Sequence, residues 1–143
     1  MRIESIAISP RKGTRKVPVS EVCLLKNYGL KGDAHAGTWH RQVSFLAKEA
    51  IESMQRRGLE VGFGDFAENI ATSGIDWPSL PPGTRVRLGK EIVVEITQIG
   101  KQCHTKCAIY QTVGDCVMPR EGVFGRVLVG GRIRVGDGIA VLR

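Results

Sequence analysis

Short apolar stretches, broken every few residues by glycine or proline, run along most of this 143-residue chain. That pattern favours strands over helices. Ile3, Ala7 and Ile8 mark a first strand over Arg2 to Ser9, ended by Pro10 and the basic turn Arg11-Lys12-Gly13. Val17 to Leu25 alternates less cleanly and reads as strand or extended chain. Gly29-Leu30-Lys31-Gly32-Asp33 then breaks regular structure, since glycine permits unusual backbone angles or close approach to a ligand. One stretch has a helical period: Val43, Leu46, Ala47, Ala50, Ile51 and Met54 fall at i, i+3, i+4, i+7, i+8 and i+11. This predicts a helix with Ser44 or a near neighbour at its start and Gly58 at its stop. Val61 to Gly83 is rich in Gly and Pro and reads as a long loop, a kind of segment that tends to be functional. Beyond it, Arg85 to Leu88 and Ile92 to Ile99 predict two strands joined across Gly89-Lys90, with Arg126 to Val129 and Ile133 to Val141 as two more. The expected fold is mainly β with one main helix, a compact antiparallel β-barrel in a single domain over residues 1–143.

A chain of this length buries a core without covalent staples. No apolar run approaches the roughly 18 residues of a membrane span, and the N-terminus lacks a signal-peptide pattern. A soluble cytoplasmic protein with reduced cysteines and no membrane partner is therefore expected. Four cysteines in that setting point to metal, redox or sulfur chemistry before disulfides. The net charge of +7 sits at the two ends: residues 1–31 carry +5 and residues 101–143 carry +4, with −2 between them. If the ends meet, they make a face suited to an anionic partner. Nucleic acid is not favoured, because aromatics are 6% of residues and none interleave the basic clusters.

The chemistry concentrates in Gly100 to Arg126, which holds Cys103, His104, Cys107 and Cys116 among Lys101, Lys106, Arg120 and Arg126. A C-H-x-x-C cluster with a further Cys nine residues on lacks the paired rhythm of zinc sites, so no tightly bound zinc is expected. P-loop and dinucleotide fingerprints are both missing. A reactive thiol remains: cations beside Cys103 would lower its pKa and favour thiolate. His104 and Cys107 stand beside it as catalytic candidates, and a second thiol can resolve a persulfide or sulfenate. Cys116 reads as scaffold and Cys23, between Val22 and Leu24, as a small core residue. Trp39 and Trp77 read as core or rim.

The order of motifs is similar to that of the MOSC family, named for the C-terminal domain of molybdenum-cofactor sulfurases, and especially to its short single-domain bacterial members. The residues that carry the resemblance are Gly29 to Gly37 (GLKGDAHAG), Arg41-Gln42-Val43-Ser44, Gly64 to Ile70 (GDFAENI) with Gly74-Ile75, Cys103-His104 and Cys107, Asp115 to Gly122, Gly125-Arg126-Val127, and Gly130 to Gly138. The resemblance implies a β-barrel-like fold in which one cysteine carries sulfur or holds molybdenum. Cys103 matches that cysteine by position. The family's cysteine commonly follows a proline, whereas this chain has Gln102, and Cys107 offers a rival alignment.

Under this resemblance Lys31, Asp33, His35, Arg41, Glu68, Asn69 and Arg126 are the cofactor-binding candidates. A His beside a carboxylate can hold a defined tautomer. Arg41 can grip a phosphate bidentately or sit at the surface. Glu68 and Asn69 can bond a pterin edge or brace their loop. The implied function is a sulfur carrier or transferase of molybdenum-cofactor metabolism. It would be loaded as a persulfide by a separate pyridoxal-phosphate desulfurase and would serve a molybdopterin-type cofactor or its acceptor enzyme. The alternatives are an oxidoreductase in which Cys103 ligates molybdenum and N-hydroxylated substrates are reduced, and a cofactor carrier without chemistry.

Overall fold

Arg85, Val86, Arg87 and Leu88 alternate exposed and buried, as the two-residue period of a strand with one wet face requires. That alternation recurs through a computed structural model that describes residues 1–11, 16–100 and 121–142. Its elements are β1 (Arg2–Ile8), β2 (Val17–Val19), β3 (Glu21–Leu25), β4 (Gly29–Leu30), β5 (Val43–Ala47), α1 (Lys48–Arg56), β6 (Ile70–Ser73), a 3-10 turn (Trp77–Ser79), β7 (Arg85–Leu88), β8 (Ile92–Ile99), β9 (Val123–Val129), β10 (Gly131–Arg134) and β11 (Ile139–Leu142). An eight-stranded sheet runs β11-β7-β8-β9-β5-β6-β1-β2, and a smaller sheet runs β10-β3-β4. Pairing is antiparallel except between β5 and β6. The chain is thus mainly β with one α-helix among the described residues.

The barrel is looser than expected, because strand pairing does not close the large sheet. The reason lies in β1, whose second edge is divided. Ile6 to Ile8 pair with β2, which leaves only the first residues of β1 to face the start of β11. There a single bridge joins Arg2 to Gly138, flanked by Ile3 N–H donating to the Asp137 carbonyl at 2.8 Å and Ile139 N–H to the Met1 carbonyl at 3.1 Å. The two ends of the chain do meet.

The predicted helix over Val43 to Met54 is divided. Val43 to Ala47 form a strand, and only Lys48 to Arg56 are helical. β5 lies between β9 and β6, with Val43, Ser44, Phe45 and Leu46 all buried. A strand covered on both faces is apolar over most of its length, and the single Ser44 does not reveal its period of two. Val43 and Phe45 enter the main core, while Leu46 turns to the second core beneath α1 with Ala50, Ile51 and Met54. Leu46 therefore joins the helical stripe in space without being helical. Ser44 does not cap the helix; Ala47 holds that position. Gly58, with φ +93°, lies just past the end. The long loop after the helix contains β6 and the 3-10 turn, whose Trp77 is fully buried and stacks on Phe45 at 4.5 Å. Cys23 is half-buried and not a core residue. Val22 and Leu24 take the inward positions of β3, so the residue between them faces the other way.

Candidate functional site

Three segments converge on one cavity, and each brings a polar side chain that the folding of its neighbours fixes. The first is the turn after β4. Asp33 is buried there, and its Oδ1 accepts from the Ser9 backbone N–H at 2.9 Å and from Lys16 Nζ at 2.7 Å. Both side chains of this ion pair are sealed from water, at 1% and 0% exposure. Lys16 Nζ also reaches Ser9 Oγ at 3.1 Å and His35 Nδ1 at 3.1 Å. The Asp33 and His35 of the expected pair are therefore joined through a lysine that the sequence does not single out. No signal separates Lys16 from Arg11, Lys12 and Arg15 in the same basic run; only the return of β2 beside β1 puts it inside.

The second segment runs from Trp39 to Ser44. Gln42, fully buried, donates through Nε2 to Asn27 Oδ1 at 2.9 Å and accepts the Val127 N–H at Oε1, 3.0 Å away. This clamp sets the strand entry. Gly29 allows it, because at φ +124° a Cβ there would strike the Gln42 carbonyl. Arg41, half-buried, packs its guanidinium over Phe124 at 5.2 Å and Trp39 at 5.9 Å. Its Nε donates to Gln98 Oε1 at 3.2 Å, and the same oxygen meets His40 Nε2 at 2.8 Å. Gln98 in turn donates through Nε2 to the Gly100 carbonyl at 2.7 Å. Trp39 is exposed and forms a rim, its Nε1 donating to the His35 carbonyl.

The third segment is Gly64 to Asn69. Asn69 Oδ1 accepts from both the backbone N–H and the hydroxyl of Ser44, at 3.0 and 3.1 Å, and Nδ2 donates to the Ala7 carbonyl at 3.1 Å. Glu68 is buried and braces its own loop, accepting the N–H of Gly64 at 2.5 Å and of Phe66 at 3.1 Å. Burial pushes its pKa up, the bonds from Gly64 and Phe66 hold it back, and the neighbouring Asp65 charge adds to the rise. Gly64, at φ +87°, lets the loop lie against the Lys16 carbonyl, which a Cβ would approach to 2.5 Å.

Lys16, His35, Arg41, Ser44 and Asn69 line a cavity of about 120 Å³ walled by Trp39, Ala67 and Phe124. A larger cavity beside α1, about 390 Å³, carries Glu49, Asp76 and Glu121 and suits no anion. Of the expected cofactor-binding residues, the fold brings His35, Arg41 and Asn69 to the cationic cavity, with Asp33 directly behind it. Glu68 stands behind as a brace. Lys31, exposed, and Arg126, on β9 opposite Glu95, do not line it. Arg132 and Arg134 of the basic C-terminal segment face Glu21, at 3.9 and 2.9 Å. Cys103, His104, Cys107 and Cys116 lie outside the described residues. On either side of them, Gly100 N–H donates to the Gly122 carbonyl at 2.5 Å, Phe124 lines the cationic cavity and Glu121 the larger one. Among the described residues, no cluster of His, Cys, Asp or Glu is arranged to hold a metal, and no helix is long and apolar enough to cross a membrane.

Comparison with known proteins agrees with the fold. The MOSC domain matches residues 32–140. The YuaD protein of Bacillus subtilis superposes with a TM-score of 0.78 at 18% identity, over 96% of this chain and 93% of that one. YiiM of Geobacillus stearothermophilus gives 0.72 at 19% identity, covering 99% of this chain and 75% of its own. YiiM of Escherichia coli gives 0.66 at 19%, covering 100% and 70%. At these identities the likeness is one of fold. No curated protein matches by sequence.

Proposed function

We propose, because this chain belongs to the MOSC domain family, that it is a sulfur carrier or transferase acting on a molybdopterin-type cofactor. The family is associated with molybdenum-cofactor proteins. The observation that supports the reading is that the strands before and after the cysteine segment both reach Arg41 of the cationic cavity. Gln98 and Phe124, on the two strands that flank the segment, both touch Arg41. Cys103 lies three residues past Gly100 in the sequence.

The described residues fit the anionic end of such a cofactor. Arg41 supplies positive charge, and Ser44 and the Asp33-paired Lys16 sit beside it in a cavity with apolar walls. At about 120 Å³ the cavity is smaller than the roughly 300 Å³ of a pocket for a whole drug-sized ligand, so it takes a phosphate-sized group and not the entire molecule. Arg41 would grip that group, held by Phe124 on its face and by Gln98 at Nε. The molybdenum of the cofactor is the acceptor site for the delivered sulfur.

In loading, the Cys103 thiolate attacks the outer sulfur of a persulfide on a separate desulfurase. The donor's S–S bond breaks, its thiolate leaves, and Cys103 becomes the persulfide, with no net change of oxidation state. Delivery as sulfide needs two electrons. Cys107 can supply them by attacking the inner sulfur of that persulfide, which forms a Cys103–Cys107 disulfide and releases hydrosulfide. His104, adjacent in sequence, is the group placed to exchange the thiol proton. Incubation with a desulfurase and cysteine, followed by mass spectrometry, tests the reading: one added sulfur is expected on Cys103, lost in Cys103→Ser. No added sulfur on Cys103 or Cys107 sinks it, and stoichiometric molybdenum in protein purified from a cofactor-making host would assign the oxidoreductase role instead.

A further inference from the structure

Lys16 has a more specific task than supplying charge. An ammonium carries three N–H donors and no acceptor, and three acceptors stand around this one: Asp33 Oδ1 at 2.7 Å, Ser9 Oγ at 3.1 Å and His35 Nδ1 at 3.1 Å. The side chain is 1% exposed, so each donor is matched to a protein atom. A ring nitrogen that receives a hydrogen bond must present its lone pair, which leaves the proton of the neutral imidazole on Nε2.

We propose that Lys16 is a positioning residue that holds His35 as its neutral Nε2–H tautomer, so that His35 meets the ligand of the cavity as a hydrogen-bond donor and not as a base. The reverse arrangement, a neutral lysine accepting from Nδ1–H, would strip the fully buried Asp33 carboxylate of its counter-charge. Asp33 thus keeps Lys16 charged, and Lys16 keeps Nδ1 an acceptor. Among the described residues, the charged groups near the ring include Lys16 and Asp33 behind it and Arg41 on the same cavity. Lys16 spends its donors on the protein, so a donor at His35 beside the acceptor-free guanidinium of Arg41 turns that wall of the cavity toward accepting groups. It selects ligand groups that only accept, such as oxyanion oxygens, and rejects neutral hydroxyl or amino groups that need a base.

The imidazole nitrogens of the ¹⁵N-labelled full chain report the tautomer directly at neutral pH, with the His35 pair assigned by its loss in His35→Gln. The expected spectrum has Nδ1 as an unprotonated ring nitrogen and Nε2 as a protonated one, coupled to its proton. In Lys16→Met the two nitrogens should move toward the averaged positions of a ring that exchanges between tautomers. A wild-type ring that is protonated at Nδ1, or already averaged, overturns the proposal, as does a Lys16→Met spectrum identical to wild type. The wild-type spectrum decides even where the variant does not fold, and it does so whether or not the chain carries sulfur.

Discussion

Asp33 and Glu68 come from motifs that look alike, Gly32-Asp33-Ala34-His35 and Gly64-Asp65-Phe66-Ala67-Glu68, and both carboxylates are buried, yet the fold treats them in opposite ways. Asp33 meets a cation: Lys16 bonds one oxygen, while Oδ2 has no hydrogen-bond partner among the described residues. Glu68 meets backbone N–H groups at both oxygens, and among the described residues no cation pairs with it. The first arrangement concentrates charge beside a cavity and passes a hydrogen bond on to His35. The second holds a loop in shape, including Ala67 at φ +62°, and its charge is tolerated more than used. A buried carboxylate is thus a functional signal here only when its partner is itself part of the cavity wall.

The sharpest way to break this contrast is to remove one member of the ion pair. Asp33→Ala should destabilise the fold by about 3–5 kcal/mol in urea denaturation, because Lys16 is left buried and unpaired. Lys16→Met combined with Asp33→Leu should recover most of that loss, since a matched apolar pair avoids the desolvation cost. A double variant as unstable as the sum of the singles would mean that the pair does not act as a unit.

Glu68→Gln should cost less, about 1–3 kcal/mol, as one acceptor oxygen becomes a donor facing a backbone N–H. It should also flatten part of the pH dependence of stability. The Glu68 pKa is raised above 4.5 in the folded state, so the folded protein binds the proton more tightly than the unfolded chain. Its contribution is fully present below about pH 4.5 and is lost as pH rises through the folded value. Denaturation midpoints collected upward from pH 4.5 should therefore decline less steeply in the variant, and equal slopes would refute the assignment. The smallest effect is expected at Lys31→Ala: within about 0.5 kcal/mol of wild type and with sulfur loading unchanged, because its side chain is exposed and off the cavity. A clear fall in loading would extend the site beyond that cavity.

Much of the β character was legible because it depends on nearest neighbours. Arg85 to Leu88 and Ile92 to Ile99 carry strand residues and a turn signal between them, and they form the predicted hairpin. Val43 to Ala47 was misread because burial on both faces erased the period of two and left an apolar run that merges with a true helical stripe. Cys23 was misplaced because its apolar neighbours say nothing about which of them turns inward. In the site, Asp33, His35, Arg41 and Asn69 were visible as polar residues inside glycine-broken segments. Lys16, Gln42 and Gln98 were not, since their roles are defined by partners 17, 85 and 57 residues away in sequence.

The sequence by itself determined the mainly β composition, the main helix, the family and the residue types from which a cationic, thiol-bearing site can be built, because these rest on local pattern and motif order. Only the tertiary structure decided which carboxylate meets a cation, which lysine is buried, and that Gln98 and Phe124 both meet Arg41. Those outcomes turn on desolvation and on hydrogen bonds between distant segments, and a buried group's chemistry belongs to the neighbours that replace its water.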